Sequence, residues 1–138
     1  MIRTIKVAMS AAVVASSLAT TLLFPAPAMA DNFQTQSGKV LCAVTPDDTL
    51  PFPDAVVCQG KFIQSGQPSS AAVTTGDGSF RWEYGANLAV HNPTTNMAYG
   101  QTYRWGNWSI YHSQSGTRFL NSRTGHGMFV SVENVYAF

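Results

Sequence analysis

Around residue 108 the chain alternates position by position: Trp108 and Ile110 fall on one side of an extended strand, with Asn107, Ser109 and Tyr111 on the other. The stretch after residue 127 repeats the pattern, setting Met128 and Val130 against Phe129 and Ser131. Elsewhere short β-prone runs are cut by turn chemistry. "VVCQGKFIQ" is followed by "SGQPSS", "AAVTT" by "GDGS", and "FRWEYG" by "ANLAVHN"; after a turn at "NPTTN", "MAYGQTYRW" leads through Gly106 to "NWSIYH", then "SQSG", "TRFLN" and "GMFVSV". Past the first thirty or so residues, no run of about a dozen holds an apolar period of 3.6. Roughly eight strand segments at this spacing predict an all-β chain forming a single small antiparallel β-sandwich or barrel-like domain. The apolar ending "MFVSVENVYAF" predicts a docked strand, then a turn that inserts Phe138.

The one departure from this pattern is the beginning. Arg3 and Lys6 precede an apolar run over residues 7–24, and "AMA" closes the segment at residues 28–30. This is the layout of a signal-peptide helix over residues 1–30, with cleavage predicted between Ala30 and Asp31. Ser10, Ser16, Ser17, Thr20 and Thr21 interrupt the run, and Pro25 and Pro27 follow it, which weighs against a stable membrane span. The expected product is a secreted β domain over residues 31–138, extracellular or held at the cell envelope, and large enough to bury one core.

Charge adds little direction. After the leader, Lys39, Lys61, Arg81, Arg104, Arg118 and Arg123 face Asp31, Asp47, Asp48, Asp54, Asp77, Glu83 and Glu133, with no like-charge run, so no nucleic-acid partner is expected. A chain with 45% hydrophobic and 12% aromatic residues is not of disordered composition. Cys42 and Cys58 are the only cysteines, and in an exported chain such a pair is expected to close as a disulfide. A redox or metal role would favour C-x-x-C spacing or further thiols.

Candidate chemistry is sparse. His91, His112 and His126 could ligate zinc together with Asp77 or Glu83, but none forms a short H-x-H or H-x-x-x-H pair, so neither metal nor cofactor is expected. No G-x-S-x-G elbow marks a nucleophilic serine, and no catalytic residue is assigned. His126 lies in "TGHG", where the glycines suit a tight connection that reaches φ > 0 and has a bulge at its exit; the imidazole is then either a turn residue or a ligand and acid/base group. Aromatics concentrate between residues 80 and 108. Phe80, Trp82 and Tyr84 would project from one strand face opposite Arg81 and Glu83, and Tyr103 and Trp105 alternate likewise. They are either core or a surface shelf, with Arg81, Arg104 and Arg118 as polar clamps.

In the pieces "FQTQSGKVLCAV" at 33–44, "VVC" at 56–58, "YGQTYRWGNWSI" at 99–110 and "GTRFLNSRTGHGMFVSVENVYAF" at 116–138, the chain resembles small secreted actinobacterial, chiefly mycobacterial, proteins with a domain of unknown function. Their hallmarks are an F-x-x-x-S-G-x-x-x-C start, a second cysteine after a short loop, and a T-G-H-G turn near the end. The resemblance implies export and a small β domain, with no reaction attached. Many such proteins place a second cysteine pair at what are here Ile110 and Phe119, which implies that apolar packing joins two facing strands in this chain.

Two functions follow as expectations. One is a non-enzymatic secreted or envelope-associated binding module for cell-wall glycan, lipid or a protein partner, using Trp82, Tyr84, Arg81, Trp105 and His126. The other is a small extracellular hydrolase-like enzyme with a site containing His126, which would need a deep pocket where a histidine meets an acid or nucleophile.

Overall fold

The computed structural model describes residues 31–45, 54–85, 88 and 94–138. The predicted leader lies outside them; Asp31, on the far side of the expected cut, opens the first strand. In chain order the described strands are β1 (Asp31–Gln34), β2 (Val40–Val44), β3 (Ala55–Gly60), β4 (Ser70–Thr75), β5 (Phe80–Tyr84), β6 (Thr94–Asn96), β7 (Gln101–Trp105), β8 (Trp108–Ser113), β9 (Gly116–Asn121), β10 (Gly127–Val130) and β11 (Val135–Ala137), with a 3-10 turn at Ile63–Ser65. They form two sheets, ordered β5-β4-β3-β2-β1-β6 and β11-β10-β9-β8-β7. Every pairing is antiparallel except β1 with β6. The chain is an all-β sandwich.

Alternation decides which side of each strand meets the other sheet. Trp108, Ile110 and His112 of β8 point inward, as do Thr117, Phe119 and Asn121 of β9 and Met128 and Val130 of β10, all essentially inaccessible. They meet Phe33, Val40, Val44 and Val56 from the first sheet in one core. Each such apolar side chain contributes on the order of 1.5–3 kcal/mol by leaving water. Cys42 and Cys58 are directly opposed on β2 and β3 and bonded to each other inside this core. Ile110 and Phe119 are likewise opposed on β8 and β9, both fully buried, so packing alone fills that cross-strand position.

β4 breaks the alternation because all six of its residues are buried. Its outward Ala71 and Val73 are covered too, which is why "SAAVTT" reads as a continuous small and apolar run. On the same outer side, Leu88 donates its backbone N–H to Oε1 of Gln59 at 2.7 Å.

Three local expectations change. "NPTTN" is no mere turn: Thr94–Asn96 is β6, which pairs in parallel with β1 and supplies the hydrogen bonds that β1 would otherwise leave at the sheet edge. "MAYGQTYRW" is interrupted at Gly100, whose φ of 79° bends the chain from one sheet into the other. Phe138 is not inserted in the core; it is half-buried on the outside of the second sheet, its ring beneath the Arg118 guanidinium at 4.0 Å.

Candidate functional site

The aromatics between residues 80 and 108 do not make one shelf. On β5, Trp82 is half-buried and packs on Phe62 and Phe80, each at 5.6 Å between ring centres, while Tyr84 is exposed at the end of the strand. Arg81 projects from the opposite side and is occupied by Glu83 at 2.8 Å, an exposed pair of little energetic weight. Tyr103 and Trp105 of β7 turn inward against the core, and Tyr103 lies 6.2 Å from Phe33. Among the described residues, the buried indole N–H of Trp105 has no hydrogen-bond partner.

His126 is exposed in the β9–β10 connection. Asn121 receives the Gly125 N–H and donates its own to His126 O, both at 2.8 Å, closing the turn. Gly125 has φ of 79°, as a tight turn requires. Gly127 does not; it is glycine because β11 and β9 crowd it, a Cβ there falling 2.7 Å from the Phe138 ring and against the Phe119 carbonyl. The imidazole lies on Gly78 of the β4–β5 turn, with Nδ1 at 3.3 Å from Phe138 O. Asp77 in that turn is committed elsewhere. The Thr75 hydroxyl and the Ser79 N–H both donate to its Oδ1, and they pull its pKa down to about 2. Among the described residues no three histidines, cysteines or acids gather as a metal site. His91 lies outside those residues.

Two buried polar groups tie the sheets together. His112 accepts the Gln36 N–H at Nε2 (3.2 Å), contacts Thr117 Oγ1 through Nδ1 (2.9 Å) and stacks on Tyr99 at 5.0 Å. Gln36 in turn accepts the Tyr99 N–H at Oε1. A cleft of about 190 Å³ adjoins this group, lined by Ser37, Lys39, Ser115 and Glu133 among others. At the other end of the sandwich, the buried Asp54 accepts at Oδ2 from Asn121 (3.0 Å), Asn107 (3.2 Å) and Arg123 (3.5 Å). These contacts hold the start of β3 to the turns of the second sheet.

The surface that gathers recognition chemistry is the outer face of β7–β11. Register places Tyr111, Arg118, Phe129 and Tyr136 side by side on four adjacent strands. Tyr111 is 45% and Tyr136 51% exposed; Phe129 stacks on Tyr136 at 5.2 Å with the planes 23° apart. Arg118 is exposed and spread over Phe138, a cation–π contact that holds the guanidinium to the sheet. Arg104 of β7 lies on the same side, opposite Ser109. None of the five strands contains an aspartate or glutamate, and among the described residues neither arginine is ion-paired. Flat rings interleaved with a fixed cation can stack on a ring-shaped ligand and accept its negative charge at once. Of the clamps expected from sequence, Arg104 and Arg118 are here and Arg81 is not. Tyr111, Phe129, Tyr136 and Phe138 were not singled out as site residues. Their signal was present, since aromatics occupy the polar slots of alternating strands, but which slot was inside became visible only with the sheets assembled. No protein-family model, no curated protein and no solved structure matches the chain.

Proposed function

We propose that this protein is a non-enzymatic binding module of the cell exterior or envelope, the compartment that its resemblance to small secreted actinobacterial proteins also implies, and that it binds through the outer face of β7–β11. The observation that carries this reading is the transverse row Tyr111–Arg118–Phe129–Tyr136, displayed on a sheet whose strands hold no acid. Large amphipathic rings left in water have no part in the core, and Tyr and Arg are, with Trp, the residues enriched where binding energy concentrates. The buried disulfide is consistent with an oxidising compartment, and among the described residues no helix is long and apolar enough to cross a membrane.

Catalysis has less support. Both ring nitrogens of His112 are engaged within the fold, and the hydroxyl it touches, on Thr117, is itself buried. Asp77, next in sequence to the Gly78 on which the His126 ring lies, is held ionised by hydrogen bonds within its own hairpin.

The test is retention of the purified protein on cell-envelope fractions, comparing wild type with Tyr111→Ala/Tyr136→Ala. The double variant is expected to lose most retention while its thermal melt and circular dichroism stay unchanged. Undiminished retention by a folded double variant would refute the assignment of this face.

A further inference from the structure

Resting on the binding-module reading above, we infer that the ligand is a linear anionic glycan, a sugar polymer bearing carboxylates, with one carboxylate seated on the Arg118 guanidinium. Adjacent strands lie ~4.8 Å apart, so the row from Tyr111 to Tyr136 crosses three strand spacings and runs ~14 Å. That is a strip suited to a chain lying across the sheet. Pyranose rings offer an apolar face and a hydroxylated rim, which match the rings and phenol hydroxyls of Tyr111 and Tyr136.

Charge selects among sugar polymers. Arg118 presents a planar fork already fixed over Phe138 at 4.0 Å, and it has no carboxylate partner among the described residues. An arginine so held loses little further freedom on taking a carboxylate in two parallel hydrogen bonds. Arg104, on the adjoining row, extends the same preference along the strip.

Other occupants fit less well. Five strands of 3–6 residues present a face of roughly 400 Å² in projection, small beside a stable protein interface that buries about 800 Å² of accessible surface on each partner. An anionic membrane would gain only about 1 kcal/mol from each of two arginines. A single-stranded nucleic acid would also stack, but its phosphate on every unit needs a longer cationic track than Arg104 and Arg118 supply.

Affinity electrophoresis of the full secreted protein tests this directly, in gels containing polygalacturonate, its methyl-esterified form, or oligo(dT). Polygalacturonate is expected to retard the protein and the esterified polymer to leave it unretarded. Arg118→Gln, which keeps part of the stem over Phe138, is expected to weaken retardation roughly tenfold or more, and Tyr136→Ala to abolish it. Equal retardation by free and esterified polymer would overturn the anionic assignment and leave the binding face standing. Stronger retardation by oligo(dT) would overturn the glycan assignment. If no polymer retards the protein while envelope retention still depends on Tyr111 and Tyr136, the ligand class is wrong and the module reading survives; if that retention is also absent, both fall.

Discussion

A backbone N–H can only donate, so the 3.2 Å contact from Gln36 N to Nε2 of His112 requires that nitrogen to carry no proton. The imidazole is therefore neutral, with its proton on Nδ1 and directed to Thr117 Oγ1. Burial pushes its pKa below the ordinary 6.5, because a charged ring there would lose its water. The unfolded chain then binds the proton more readily than the folded one. The stabilisation is complete above pH 6.5 and diminishes as pH falls through 6.5 toward the lowered folded value. Denaturant midpoints measured from pH 8 to pH 5 should fall across that window in wild type, and the fall should shrink in His112→Gln. At the other notable histidine the side chain matters less than its neighbours. His126→Ala is expected to melt close to wild type, whereas Gly127→Val, which drives a branched side chain into the Phe138 ring, should cost about 1–3 kcal/mol in a denaturant melt. Sequence reasoning attributed both flanking glycines to positive φ. That holds for Gly125 and not for Gly127, whose constraint is a tertiary approach that no local pattern records.

Strands were legible wherever one side faced water. The alternation in "NWSIYH" and "GMFVSV" matches β8 and β10, and "SQSG" is the β8–β9 turn, in which Ser113 opposes Gly116. β6 was not legible, because three residues between turn formers look like part of the turn until β1 is known to lie beside them. The cysteines were readable as a staple from their flanks and compartment, but their direct opposition across β2 and β3 follows from register. Their bond closes a loop of sequence separation 16. Replacing both by alanine is expected to lower stability by about 3 kcal/mol in urea, and a native, unreduced sample should contain no alkylatable thiol. Ile110 and Phe119 show the alternative solution to the same cross-strand problem, with volume in place of a covalent bond.

For the molecule as a whole, the two sheets are each a meander of neighbours in sequence, which short turns make easy to foresee. The proposed binding face was not, since its row is assembled from strands whose sequences are 7 to 25 or so residues apart and exists only in register. The remaining feature is the step from β5 to β6, which carries the chain from one edge of the first sheet to the opposite edge. Most of the fold is made of contacts between consecutive strands, which close small loops at low entropic cost. Among the described strand pairings β1–β6 is the one between strands distant in sequence, and the Gln36–Tyr99 hydrogen bond between residues 63 apart lies beside it. This topology predicts an order of folding, with the hairpins early and this seam last. Stopped-flow measurements on Thr95→Pro, in the middle of β6, should show faster unfolding with refolding nearly unchanged. Until that seam closes, β1 keeps an open edge, so a chain folding in that order passes through a stage at which its first strand is available to pair with another copy.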